Sequence, residues 1–408
     1  MSCSFNSAQP VSTGKQRFDW VPLILLGMMA VMWAVLRMIT GVGLFGPTAY
    51  PTYTLQAMAW RNGMLHLDHD YPWLELAIYE GEYYVSFPPL PSVILLPLTL
   101  IFGYDTPDHL LVKLYAAGAC LLMYFALKRQ GYGKIAAGAL AFLIGFSSSL
   151  LPLTMDGAVW YHAQMLAFLL VTAAIACMFS DHPTIGLFCY ALSVGCRPFD
   201  AIYALPLFFV YFSRQRRLQI PFKEIARKLL PGIGLGLMVA CGLGTYNFVR
   251  FGNPFEFGHN YLPEFSFQGG VQFSLANIPG NLKTFRWGLP LQMTNQGLRF
   301  TRFGYSILIA CPAITLTLMR AVWDLCKRRM TWEKAVTLAA MLLLIFLLLL
   351  HRTFGGFQLG ARYAVDAVPC CLLYALLDKP GKKWTVFQIA LLACCFLFTC
   401  AGFCQVHL

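Results

Sequence analysis

The chain has 408 residues, of which 58% are apolar and only 12% charged, about half the charge of an ordinary soluble domain. That balance excludes a soluble enzyme, a disordered chain and a coiled coil, and leaves an all-α polytopic membrane protein. The 30 Lys and Arg exceed the 18 Asp and Glu to give a net charge of +12, which reads as cytoplasmic loops beside anionic lipid and not as a nucleic-acid surface.

A membrane span takes roughly 20 mostly apolar residues. In chain order, apolar runs fall near 20–41, 87–103, 109–127, 135–153, 159–179, 184–198, 199–213, 229–249, 304–322, 333–350, 362–377 and 385–404. Basic clusters punctuate them at Lys15/Arg17, Lys128/Arg129/Lys134, Arg214 to Lys228, Lys327/Arg328/Arg329/Lys334 and Lys379/Lys382/Lys383. All five clusters fall on the cytoplasmic side, as the positive-inside rule asks, only if one run does not cross. The 87–103 run is the weakest, because Pro88, Pro89, Pro91 and Pro97 interrupt it. It is expected to be a re-entrant or interfacial segment.

This leaves about 11 spans, between about 10 and 13, in one integral domain over 1–408. The expected order is a cytoplasmic tail (1–19), an acidic external loop (42–108) holding the 87–103 segment, and a basic external loop (250–303). The C-terminus is expected outside. The first apolar run lacks a small-residue exit, so it is read as a retained anchor and not a cleaved signal. The expected location is the inner or plasma membrane, multi-pass. Most of the 14 cysteines lie inside apolar runs and both long loops lack them, so they read as small packing residues.

The 42–108 loop carries seven acids, Asp68, Asp70, Glu75, Glu80, Glu82, Asp105 and Asp108. The 250–303 loop carries five bases, Arg250, Lys283, Arg286, Arg299 and Arg302. An acidic loop facing a basic one suggests a reaction cleft at the membrane surface. Within the first loop, Trp73, Tyr83 and Tyr84 offer faces for a sugar ring, although such aromatics also form interfacial belts. Glu75, flanked by Trp73, Leu74 and Leu76, is the acid expected to be desolvated and therefore the strongest base. His66, Asp68, His69 and Asp70 could hold a divalent cation, although a polar turn explains them as well.

Further along, Arg250 leaves a span at headgroup depth, where a guanidinium can hold a lipid phosphate, and His259 follows in the same loop. The segment Phe354 to Asp366 has three glycines suited to close backbone approach. Arg362 and Asp366 are spaced i, i+4 and can pair on a helix face. Arg197 and Asp200 raise the same question at another turn. No internal repeat, P-loop or His-Glu-x-x-His motif occurs, so neither a nucleotide site nor a metalloprotease is indicated.

Three segments carry a resemblance: Glu82-Tyr83-Tyr84-Val85-Ser86-Phe87-Pro88-Pro89; Tyr246-Asn247 with Arg250-Phe251-Gly252 and Phe257-Gly258; and Gly360-Ala361-Arg362-Tyr363 with Asp366 and Pro369. Together they resemble the GT-C class of integral membrane glycosyltransferases, the superfamily of protein O-mannosyltransferases and aminoarabinose transferases. The resemblance implies a sugar donor on a polyprenyl phosphate, an external glycan, lipid or protein acceptor, and inversion at the anomeric carbon. It also implies a carboxylate base in the first external loop and basic side chains on the departing phosphate. Because 42–60 contains no acid, the base falls to Glu75, then Asp70, then Asp68. Arg362, Arg250, Arg197 and Tyr363 are the candidates for the phosphate. Trp73, Tyr83, Tyr84 and His259 are those for the sugar or acceptor, with Asp366 and Asp200 as structural polar partners. No metal ligand set is assigned, and no nucleic-acid partner is expected. The competing classes are a transporter or flippase of a lipid-linked or polar solute, and an inactive relative serving as a scaffold.

Overall fold

A computed structural model describes residues 18–266, 271–353, 359–378 and 386–408. The expectations resting on Lys15, Arg17, residues 354–358, Lys379, Lys382 and Lys383 lie outside them. The chain begins with α1 (Val21–Thr40), α2 (Thr52–Arg61), a hairpin of β1 (Leu76–Tyr79) and β2 (Glu82–Val85), and α3 (Leu90–Phe102). It continues through α4 (Asp108–Arg129), α5 (Lys134–Phe146), α6 (Leu150–Leu153), α7 (Val159–Phe179), α8 (Pro183–Val194), α9 (Ala204–Arg217) and α10 (Phe222–Phe251). After α11 (Pro263–Ser266) and α12 (Ile278–Trp287), a second hairpin joins β3 (Leu291–Thr294) to β4 (Gly297–Phe300). Then come α13 (Ile307–Ala310), α14 (Pro312–Cys326), α15 (Trp332–Leu350), α16 (Val368–Leu376) and α17 (Val386–His407).

Six described helices are long and apolar enough to cross a bilayer: α1, α4, α7, α10, α15 and Ile389–His407 within α17. Each has 19 or more residues, and at about 1.5 Å per residue such a helix bridges roughly 30 Å of hydrocarbon. Several other apolar runs are broken helices. In α5–α6 the Ser147 hydroxyl donates back to the Leu143 carbonyl, which competes with the helix ladder. Between α8 and α9, Arg197-Pro198 cannot continue an α-helix, and a 3₁₀ segment Pro198–Tyr203 turns the chain. The α3 helix has 13 residues with Pro97 inside it, short of a full span.

Three of the basic clusters gather at one end of the bundle. Asp19 holds Lys128 and, at 3.9 Å, Lys134. Lys228 meets Asp181 at 2.8 Å, Arg217 meets Glu333, and Lys334 bridges Asp324 and Asp378 at 2.6 and 2.5 Å. At the other end lie the first hairpin, the N-termini of α4 and α7, and the C-termini of α8, α10 and α15. In the first hairpin, Glu80 and Gly81 both have positive φ, 51° and 86°, the two-residue turn whose twist matches antiparallel strands.

Candidate active site

The hairpin end encloses a cavity of about 690 Å³. Glu75, immediately before β1, reaches it from the first loop. Its carboxylate accepts a hydrogen bond from Trp160 Nε1 at 3.0 Å, and Ser86 Oγ donates to its carbonyl at 3.2 Å. Asp156 enters from the turn before α7. Its Oδ1 accepts from Thr48 Oγ1 at 2.8 Å and from its own turn's Ala158 N–H at 3.0 Å. Gly157 permits this turn, because a Cβ there would lie 2.5 Å from the Asp108 backbone carbonyl carbon.

Cationic and imidazole groups line the same space. Arg362 is 5% exposed, with its guanidinium 5.5 Å from the Tyr161 ring and 5.0 Å from the Tyr363 ring. Gln164 Nε2 donates to the Arg362 carbonyl at 2.9 Å, so the backbone there is anchored independently of the side chain. His259 Nδ1 stands 2.7 Å from the Ser86 carbonyl, which requires the hydrogen on Nδ1 and leaves Nε2 a lone pair. Glu256 fixes that turn by accepting from Gly258 N–H and Asn260 Nδ2, each at 2.6 Å. Burial holds the His259 imidazole below its ordinary value and holds His351 down at about 4. Both rings are therefore neutral at pH 7.

A second cavity of about 290 Å³ adjoins the first and shares Phe87, Trp160, His259, His351, Arg362 and Tyr363 with it. Its further wall is largely apolar, from Tyr53, Phe199, Phe257, Phe273 and Leu344. Arg197 enters here, donating from Nε at 2.9 Å and Nη2 at 2.5 Å to Asp366. Arg362 thus borders both cavities, of which the second has the more apolar wall.

No protein-family model and no curated protein matches the sequence. The structure is similar to that of ArnT from Cupriavidus metallidurans bound to undecaprenyl phosphate, with TM-score 0.51 and 14% identity over 88% of this chain and 59% of that one. The fold is GT-C-like. An oligosaccharyltransferase from Archaeoglobus fulgidus also matches (TM-score 0.47, 16% identity, 97% of this chain and 56% of that one). So does the arabinosyltransferase EmbB from Mycobacterium smegmatis (TM-score 0.42, 14% identity, 97% of this chain and 38% of that one). The chain spans little more than half the length of the first two. The chain is a polytopic membrane protein of GT-C-like fold.

Within the GT-C-like fold the expected site residues divide. Glu75, Arg362, Tyr363 and His259 come together in the main cavity, and Arg197 and Asp366 join from the adjoining one. Glu75 is exposed, not desolvated as its apolar neighbours suggested, because Leu74 and Leu76 point into the hairpin core while the carboxylate points out. Asp68 and Asp70 are exposed and line neither cavity. The His66 to Asp70 ligands do not converge: His66 turns 3.0 Å to Glu82, and His69 pairs with Asp68 and stacks on Tyr71 at 4.1 Å. Trp73 is 59% exposed. Tyr84 packs edge-on against Phe251 at 5.2 Å, and Tyr83 pairs with Leu67. None of these three aromatics lines either of the two cavities.

Arg250 also departs from expectation. Its Nη1 donates to the Val85 carbonyl at 2.9 Å and its Nη2 to Asn247 Oδ1 at 3.1 Å, over the Tyr246 and Phe251 rings. It rivets the hairpin to α10 and does not face the chamber. None of the five bases in 250–303 lines either cavity, so the positive charge comes from Arg197, Arg362 and Arg352 instead. Arg362 and Asp366 do not pair, because residues 362–367 form a 3₁₀ helix, where i and i+4 diverge. Asp366 pairs with Arg197, and Asp200 is buried beside them with Oδ2 unpartnered. Gly360 makes its close approach to Ser149, whose Oγ accepts from Ala361 N–H at 2.9 Å.

Sequence reasoning passed over Asp156, Trp160, Tyr161 and His351. A signal existed for Asp156: it is the only acid between Asp108 and Asp181, and a lone acid in an apolar stretch is costly unless used.

Proposed function

We propose that the chain is a membrane glycosyltransferase that moves a sugar from a polyprenyl-phosphate donor to an acceptor hydroxyl at the hairpin end, with inversion. The observation that carries this reading is Arg362, buried where two adjoining cavities meet, one lined by acids and imidazoles among apolar groups and the other with the more apolar wall. A lipid-linked sugar phosphate needs that combination: polar room for the sugar and acceptor, a guanidinium for the phosphate, and an apolar path for the prenyl chain. The neighbour ArnT, of the same fold, is bound to undecaprenyl phosphate.

In the proposed reaction the acceptor oxygen attacks the anomeric carbon from the face opposite the phosphate. Its proton passes to a cavity carboxylate, Glu75 or Asp156, and the bond from carbon to the phosphate oxygen breaks with its electron pair on that oxygen. Arg362 receives the growing charge as a planar, paired hydrogen-bond donor. Arg197, committed to Asp366, keeps the 3₁₀ segment carrying Arg362 in place. His259 and His351, neutral at pH 7, offer polar contacts to a sugar without competing for the phosphate charge.

The test is transfer of labelled sugar from a panel of polyprenyl-phosphate sugars by the full chain in proteoliposomes. Transfer that Arg362→Ala abolishes supports the reading. Lipid-linked solute moved across the bilayer without cleavage of the sugar–phosphate bond rejects it in favour of a flippase.

A further inference from the structure

A carboxylate that works in a chamber must be held still, and the groups holding Asp156 include one with no evident reason to be buried. Lys113 lies in the second turn of α4 among Leu111, Val112 and Leu114 and is 3% exposed. Among the described residues no carboxylate bonds its ammonium. Its three N–H groups go to three backbone carbonyls, Gly43 at 3.3 Å, His109 at 3.0 Å and Met155 at 3.1 Å, which uses every donor a lysine has.

Those carbonyls belong to the loop after α1, the first turn of α4 and the residue before Asp156. One turn earlier, His109 Nδ1 accepts from Gly157 N–H at 3.0 Å. The His109 ring also lies so close beneath Gly43 that a Cβ there would be 2.6 Å from Cδ2. Asp156 is therefore anchored on both flanks, through Met155 to Lys113 and through Gly157 to His109, while Thr48 of the first loop holds its Oδ1. A methionine would fill the same space in a membrane helix at far lower desolvation cost, so a buried ion here calls for a use.

We propose that Lys113 is a positioning residue that ties the post-α1 loop to the 155–158 turn and so fixes Asp156 in the chamber. The role rests on Asp156 being one of the chamber's working acids, as proposed above. Lys113 touches neither donor nor acceptor. Its loss lets the turn drift without emptying the phosphate site around Arg362.

The experiment uses the full chain in nanodiscs, with Lys113→Met and Lys113→Arg. Lys113→Met is expected to lower kcat per folded molecule by about 10²-fold while the donor KM stays within about 3-fold. Hydrogen exchange at the Gly157 and Ala158 amides should quicken at the same time. Lys113→Arg keeps the charge and donors but exchanges the compact ammonium for a longer planar fork, so it is expected to recover only part of kcat. Unchanged exchange at Gly157 and Ala158 in Lys113→Met, or unchanged kcat, overturns the proposal. Should Lys113→Met not fold, a Lys113→Arg enzyme with no better kcat than an Asp156→Asn enzyme, despite wild-type exchange, also overturns it. The exchange measurement needs no transfer activity, so failure of the functional reading (no transfer by wild type) and failure of the positioning role are separate results.

Discussion

Removing the Arg362 guanidinium is the perturbation with the most calculable consequence. The side chain is almost wholly buried, lies against the Tyr161 and Tyr363 rings, and borders both cavities. A hydrogen bond to a charged group contributes about 1.5–3 kcal/mol. Arg362→Ala removes at least one such bond to the phosphate and should therefore weaken undecaprenyl-phosphate binding by about 10–100-fold or more, at about 1.4 kcal/mol per tenfold. Lysine restores a point charge but neither the planar fork nor the ring stacking, so Arg362→Lys should recover less than half of that loss in free energy. The protein should still fold, because Gln164 holds the Arg362 carbonyl and the Arg197–Asp366 pair holds the segment. Binding is measured by titrating the lipid phosphate into purified protein and following tryptophan emission, with Trp160 in the chamber wall as reporter. Equal affinity for wild type and Arg362→Ala would refute the reasoning and reduce Arg362 to a packing residue.

Three further outcomes are expected. Glu75→Gln and Asp156→Asn separate the acids by turnover in folded protein: whichever carboxylate takes the proton should cost about 10²–10⁴ in rate, and near-normal turnover in both single variants and the double would remove both. Arg250→Ala should lower the melting temperature by freeing the Val85 and Asn247 groups while leaving lipid-phosphate affinity within about 2-fold, since a residue outside the site adds little to binding. His351 links stability to pH: its folded value, about 4, lies below the ordinary 6.5. The folded state therefore binds fewer protons than the unfolded one, and this contribution is present above pH 6.5 and is lost as pH falls toward 4. Its upper size is on the order of 3 kcal/mol, and a His351→Gln variant should show a flatter melting profile over that window.

The fold class was readable because membrane insertion leaves its mark on composition: 12% charge cannot cover a soluble surface. The basic clusters at 128–134, 214–228 and 327–334 were readable as one end of the bundle for the same electrostatic reason. Arg362, Tyr363 and His259, candidates from the sequence, line the main cavity together, as polar residues at the ends of apolar runs on one side of a bundle can. The failures have a common cause. Sequence position gives the depth of a residue along a helix, but not the direction in which its side chain points. Arg250 lies in the last turn of α10, as expected, but its side chain turns inward to Val85. Glu75 has apolar neighbours in sequence, yet it sits in the turn that leads into β1, where Leu74 and Leu76 are buried and Glu75 is left exposed. The Arg362–Asp366 pairing assumed 3.6 residues per turn where the chain makes 3₁₀ geometry. Asp156 and Lys113 belong to a network joining residues 43, 109 and 155, and such convergence is invisible until the helices are packed.

The most direct test of the account is the position of undecaprenyl phosphate bound to the full chain, resolved by cryo-electron microscopy. The phosphate is expected within hydrogen-bond reach of Arg362, with its prenyl chain against Phe199, Phe257 and Leu344. A phosphate found at the opposite end, beside Lys128 and Arg129, with the Arg362 chamber empty, would contradict it.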